Sequence, residues 1–155
     1  MRARIKLFAM DVDGVLTDGG MYYSGQGEVL KKFNTRDGVG IELLRKNNIV
    51  SAIITQEESK IVIKRAEKLK VEEVHVGIED KLRVIEELAQ KYNLSLDEVA
   101  YIGDDINDLA VLREVGLSFA PSDAMPEVRR AVYQVLSRKG GEGVVREAVE
   151  FILQE

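Results

Sequence analysis

Six short strand-like runs alternate with amphipathic stretches along the whole chain, and this alternation narrows its fold more than any other feature. The runs cover residues 7–10, 49–54, 71–76, 99–102, 117–119 and 133–136. Those at 7–10, 49–54 and 99–102 are nearly continuous in apolar residues, as expected of parallel strands covered on both faces. Helical signals fall between them. One helix is predicted over Val39–Asn47 with Asp37 as a candidate cap, and a second from Glu58 or Ser59 to Leu69. A third covers Asp80–Tyr92, with Leu82, Ile85, Leu88 and Ala89 on one stripe. Ser95–Glu98 reads as a capping turn, and Leu109–Val115, a stretch opened by Pro126 and a C-terminal stretch ending at Leu153 complete the set. The pattern predicts an α/β fold, a Rossmann-like parallel sheet with helices on both faces. Gly19–Phe33 interrupts it. There, two strand-like runs flank Ser24-Gly25-Gln26-Gly27, which predicts a β-hairpin inserted after the first strand. Its Met and Tyr side chains form either a lid or an oligomer surface. With no repeat or linker, residues 1–155 read as one domain, with the hairpin near 19–33 and a tail near 138–155.

Composition removes several chemistries. Hydrophobic residues make up 45% of the 155 positions and charged residues 32%, enough for a proper core in a globular protein. There is no cysteine, which excludes disulfides, thiolate catalysis and Cys-based metal sites. His75 is the single histidine, so a multi-histidine metal centre within one chain is impossible, and a structural place in its strand is expected for it. The net charge of −5 disfavours nucleic acid as a partner. No apolar run approaches the ~18 residues of a membrane span, and the N-terminus lacks a signal-peptide core. A cytoplasmic location is expected. Catalysis must rely on carboxylates, hydroxyls, Lys, Arg and a hard cation.

The carboxylates are placed for such work. The first apolar run stops at Asp11 and Asp13, two residues apart and so on one side of an extended chain, followed by Gly14. Alone, Asp11–Gly14 fits a surface turn as well as a site. Other strand ends decide between them: Thr55 ends the second run, Lys81 lies one loop beyond the third, and Asp104 and Asp105 follow the fourth. In a parallel sheet such ends lie side by side. Several acids without histidine are hard oxygen ligands suited to Mg²⁺, and a lysine and a hydroxyl beside them would hold an anion. Together they describe phosphoryl transfer to an aspartate.

Asp11-x-Asp13-Gly14-Val15-Leu16-Thr17, Thr55, Lys81 and Gly103-Asp104-Asp105-x-x-Asp108 resemble, in order, the four motifs of the haloacid dehalogenase phosphatase superfamily, capless type. Phe33-Asn34-Thr35-Arg36-Asp37-Gly38, Ala100–Asp105, Val115–Ser118 and Gly140-Gly141-x-Gly143-x-x-Arg146-Glu147 are similar to the 3-deoxy-D-manno-octulosonate (KDO) 8-phosphate phosphatases and their nonulosonate 9-phosphate relatives. The resemblance implies that Asp11 is the nucleophile and that Asp13 protonates the leaving oxygen and then activates water. It further implies that Thr55 and Lys81 hold the phosphoryl group. Mg²⁺ would bind the Asp11 side chain, the Asp13 carbonyl and Asp104, supported by Asp105 and Asp108. The substrate would be a small phosphorylated sugar acid met by Asn34, Thr35, Arg36, Asp37, Gly38, Glu57, Arg65 and Lys68. The hairpin would build a homotetramer in which a neighbouring subunit caps the site, and the Gly140–Gly143 tail would be mobile.

Two positions depart from the octulosonate pattern. Thr55-Gln56-Glu57 stands where Thr-Gly-Arg is usual, and Glu42 where an arginine is frequent. Glu57 with Lys68 resembles the nine-carbon relatives instead. The eight-carbon substrate of lipopolysaccharide biosynthesis ranks first and the nine-carbon acid phosphate second. A receiver domain of a response regulator also combines acids, Thr and Lys, but its Lys follows the other elements, whereas Lys81 precedes Gly103-Asp104-Asp105. A catalytically silent phosphatase-like domain would not need Asp11, Asp13, Lys81 and Asp104 intact.

Overall fold

The structure is a computed structural model that describes residues 4–154. Its elements follow the alternating pattern. Strand β1 (Leu7–Met10) leads into the acidic loop, and β2 (Tyr22–Ser24) and β3 (Gly27–Leu30) form the hairpin. Next come α1 (Thr35–Lys46), β4 (Val50–Ile54), α2 (Lys60–Leu69), β5 (Glu73–His75) and α3 (Lys81–Lys91). The second half holds β6 (Val99–Ile102), α4 (Leu109–Glu114), β7 (Leu117–Ala120), α5 (Pro126–Ala131), β8 (Gln134–Val135) and α6 (Val144–Gln154).

Six strands form one parallel sheet in the order β5-β4-β1-β6-β7-β8, and β2 and β3 pair apart from it. Strand side chains alternate between faces. Phe8, Met10, Ile53, Ala100, Ile102, Leu117 and Phe119 pack on one side against α1, α2 and α6. Leu7, Ala9, Ala52, Ile54, Val99 and Tyr101 pack on the other against α3, α4 and α5. The predicted α/β sheet with helices on both faces is what forms. From β1 the chain builds outward through β4 and β5, then returns to build β6, β7 and β8 on the other side. The C-terminal ends of β1 and β6 therefore flank the switch point, where such sheets open a crevice.

The main correction to the predicted elements concerns α1. It starts at Thr35, not Val39, and its cap is Asn34, whose Oδ1 accepts the Arg36 N–H at 2.9 Å. Asp37, predicted as the cap, lies buried inside the first turn. Gly38 and Gly40 are poor helix formers and argue for a later start. Packing overrides them, because a Cβ at Gly40 would lie 3.2 Å from the Arg146 backbone of α6. Ser59, not Glu58, caps α2 by accepting the Val62 N–H at 3.3 Å. Strands β5 and β8, at the sheet edges, are shorter than their apolar runs.

The tail folds back onto the acidic loop. Gly141 N–H donates to the Val15 carbonyl at 3.0 Å, and Gly140 N–H to Asp123 Oδ1 at 3.1 Å. A Cβ at Gly140 would overlap the Gly14 carbonyl. Gly140→Ala must therefore push the tail off the loop, and a loss of about 1–3 kcal/mol in denaturant unfolding is expected, as for overpacked cores.

Candidate active site

Four strand ends converge at the crevice. Asp11 and Asp13 follow β1, Thr55 follows β4, Lys81 opens α3 after β5, and Asp104 follows β6. Asp11, Asp13, Gly19, Thr55, Gln56, Glu57, Asp104, Asp105 and Asn107 line a cleft of about 240 Å³. Gly14 makes this possible: its φ is +86°, and a Cβ there would overlap the Asp104 carboxylate. The acidic loop turns sharply enough to bring Asp11 and Asp104 together.

Lys81 and Asp108 form the floor. The Lys81 side chain is 1% exposed, with Nζ 2.9 Å from Asp108 Oδ1 and 3.2 Å from Asp11 Oδ1. Tyr101 O–H donates to Asp108 Oδ1 at 2.6 Å. Asp108 Oδ2 accepts the backbone N–H groups of Asp104 at 3.1 Å and Asp105 at 3.4 Å. Both oxygens of Asp108 are thus engaged, so it orients the Asp104 loop and anchors Lys81. Breaking such a buried pair from one side costs about 3–5 kcal/mol.

The charge balance leaves room for a cation. Carboxylate oxygens of Asp11, Asp104 and Asp108 lie within 4.8 Å of one another. Burial first, then repulsion from Asp108, raises Asp11 well above the usual carboxylate range, although Lys81 opposes this. Burial and then the charges of Asp108 and Asp105 push Asp104 up to about 7. Burial opposes the charge on Lys81, yet Asp11 and Asp108 raise its pKa above the ordinary lysine value. One lysine does not neutralise this cluster. Asp11 and Asp104 offer only hard oxygen donors, which fits a small divalent cation.

Of the predicted substrate-binding residues, Glu57 lines the cleft and the others do not. Asn34 caps α1 and donates from Nδ2 to the Gly141 carbonyl at 3.3 Å. Thr35 is exposed, and Gly38 packs against Leu69 and Arg65. Asp37 accepts the Arg146 N–H at 3.0 Å and so joins α1 to α6, with burial raising its pKa to about 6. Arg36 lines a second cavity with Arg138 and Arg146, and Arg65 stacks 5.5 Å from the Phe33 ring centroid. Lys68 is exposed in the last turn of α2, and Glu42 pairs with Lys46 at 3.2 Å. His75 Nε2 lies 3.1 Å from Glu73 Oε1 in the edge strand, away from the cleft. Sequence reasoning missed Tyr101, whose one signal is a hydroxyl in an otherwise aliphatic strand. It also missed Lys31, which contacts Asp13 at 2.6 Å.

The family model of haloacid dehalogenase-like hydrolases matches residues 42–147. The KDO 8-phosphate phosphatase KdsC of Yersinia pestis is 44% identical over 97% of this chain and 81% of its own length. The corresponding enzyme of Escherichia coli K12 is 40% identical over 96% of this chain and 79% of its own. The chain belongs to the haloacid dehalogenase-like hydrolase family. Among solved hydrolases of this family, the cobalt-bound Haemophilus influenzae phosphatase superposes with a TM-score of 0.95 at 39% identity, covering 97% of this chain and 88% of that one. The Moraxella catarrhalis phosphatase, solved with magnesium, phosphate and KDO, gives 0.94 at 39% identity, covering 97% and 87%.

For a hydrolase with this acid cluster, cation binding and protonation compete. Asp104 and Asp37 both have raised pKa values in the fold, so without metal the folded state holds protons that the unfolded chain has released. Stability of the metal-free protein should fall as pH rises from about 4 to about 7. Added Mg²⁺ replaces the proton at Asp104, so its stabilising shift in melting temperature should be larger at about pH 8 than at about pH 5.5. Equal shifts at both would contradict this.

Proposed function

We propose that the chain is a Mg²⁺-dependent phosphatase that hydrolyses KDO 8-phosphate to KDO and inorganic phosphate through an aspartyl phosphate on Asp11. The convergence of Asp11, Asp13, Thr55, Lys81 and Asp104 at the switch point of the sheet carries this reading, and the 40–44% identity to octulosonate phosphatases supports the substrate. Asp11 forms a bond to phosphorus as the phosphorus–oxygen bond to the sugar breaks, and Asp13 gives its proton to the departing alkoxide. Water then yields a proton to Asp13 and attacks phosphorus, and the bond to Asp11 breaks. Asp11, Asp104 and the Asp13 carbonyl would hold Mg²⁺, which supplies positive charge between a carboxylate and a phosphate that otherwise repel. Lys81, 3.2 Å from Asp11, opposes the burial and repulsion that raise the Asp11 pKa, and Lys81 and the Thr55 hydroxyl would hold the phosphoryl group. The whole chain acts as one domain in this scheme.

Glu57 supports a second substrate. It places an acid in the cleft where the octulosonate pattern has arginine, which favours a nonulosonate 9-phosphate. Parallel kcat/KM measurements on both phosphates with Mg²⁺ separate the two, and the eight-carbon compound is expected to be preferred. Turnover of neither, with turnover of a simple hexose phosphate, would overturn both assignments. Asp11→Asn should lower kcat by about 10⁴-fold or more on any substrate, as loss of a covalent nucleophile does.

The hairpin supports an oligomer. Met21, Tyr22, Tyr23, Val29 and Leu30 are all exposed along it, and such an apolar surface on a small protein marks an interface. A homotetramer in which a neighbour covers the cleft fits a small-molecule substrate. Sedimentation should show a tetramer, and Tyr23→Glu with Leu30→Glu should dissociate it. A wild-type monomer would contradict the assembly.

A further inference from the structure

Lys31, like Lys81, has its side chain withdrawn from solvent next to the reacting carboxylates, at 1% exposure. It belongs to the segment leaving β3, 18 residues from the acid it meets. Its Nζ lies 2.6 Å from Asp13 Oδ1 and 2.8 Å from Glu28 Oε1. Glu28 Oε2 in turn accepts from Ser59 Oγ at 2.7 Å, and Ser59 caps α2. A continuous chain of charge-assisted hydrogen bonds thus runs from Asp13 through Lys31 and Glu28 to the start of α2.

Of these groups Ser59 also serves the fold, as the cap of α2. The hairpin does not pair with the main sheet, and burying a lysine side chain is costly unless its charge is met, as it is here by two carboxylates. Asp13 follows β1 by three residues, in a loop whose neighbours Gly14 and Gly19 both have positive φ. A carboxylate on such a loop has several rotamers open to it, and proton transfer to a leaving oxygen demands hydrogen-bond geometry. A cation fixed on one oxygen restricts the side chain to one orientation.

We propose that Lys31 is a positioning residue for Asp13, and that the hairpin, through the Lys31–Glu28–Ser59 chain, sets the orientation in which Asp13 serves the leaving group. The proposal rests on Asp13 acting as the acid in the phosphatase scheme above. Lys31 then makes no contact with the substrate, and its loss acts only where Asp13 must transfer a proton.

Leaving-group dependence distinguishes this from a structural or phosphate-binding role. The value of kcat/KM reports steps through departure of the leaving group. An alkoxide from a sugar phosphate needs a proton, whereas p-nitrophenolate leaves readily without one. Lys31→Met should lower kcat/KM for KDO 8-phosphate by at least about tenfold, a fraction of what general acid catalysis supplies. It should leave kcat/KM for p-nitrophenyl phosphate within about threefold of wild type. Lys31→Arg, which keeps a cation on Asp13, should recover most of the sugar-phosphate activity. Equal losses on both substrates, a raised KM with unchanged kcat, or no loss at all would overturn the proposal. If Lys31→Met does not fold, Glu28→Gln weakens the outer anchor while keeping Lys31, and the same selective loss, smaller in size, is expected. If the wild-type protein hydrolyses p-nitrophenyl phosphate and a hexose phosphate but not KDO 8-phosphate, the substrate assignment fails, and Lys31 is tested on the hexose phosphate in the same way.

Discussion

Negative charge concentrated at a buried sheet edge is the constraint on which the rest of this structure depends. Asp11, Asp104 and Asp108 crowd one another where β1 and β6 end, and burial makes their repulsion stronger than it would be in water. The surrounding chain answers that charge group by group. Lys81 stands between Asp11 and Asp108, Tyr101 donates to Asp108 from the strand beneath, and two backbone N–H groups donate to its other oxygen. What remains uncompensated lies on Asp11 and Asp104, facing the cleft. A site left short of positive charge at that point is suited to a divalent cation and a phosphate dianion arriving together.

Elements distant in sequence are recruited to hold this arrangement. The tail after β8 packs its glycines against the acidic loop, and Asp37 ties α1 to the first N–H groups of α6. On the other side, the hairpin reaches Asp13 through Lys31. The acidic loop is thus gripped from both flanks, and Gly14 and Gly140 are glycines because backbone and carboxylate pass too close for a side chain. Rigid support of this kind keeps the reacting groups in place without reorganisation during turnover.

Much of this was legible in the sequence, for identifiable reasons. Buried parallel strands announce themselves as apolar runs, and their polar end residues converge by topology alone, so Asp11, Asp13, Thr55, Lys81 and Asp104 could be assembled from their order. The start of α1 could not, because two glycines conceal a helix whose stability comes from packing against α6. Arg36 and Arg65 carry the right charge for a sugar acid, but the turn of α1 and the stacking of Arg65 on Phe33 take them elsewhere. Lys31 was hidden because a contact across a hairpin has no local period. Glu57, which the resemblance alone brings to the substrate, lies in the cleft because it follows the end of β4.

The central claim is that Asp11 receives the phosphoryl group while Asp13 handles protons. An Asp13→Asn variant mixed with p-nitrophenyl phosphate and Mg²⁺ addresses both halves at once, because the first step needs no acid with that leaving group and the second stalls without a base. Mass spectrometry of the acid-quenched protein should then find a phosphoryl group on the peptide that contains Asp11. Release of p-nitrophenol with the phosphoryl group on another residue, or with none on the protein, would contradict the mechanism.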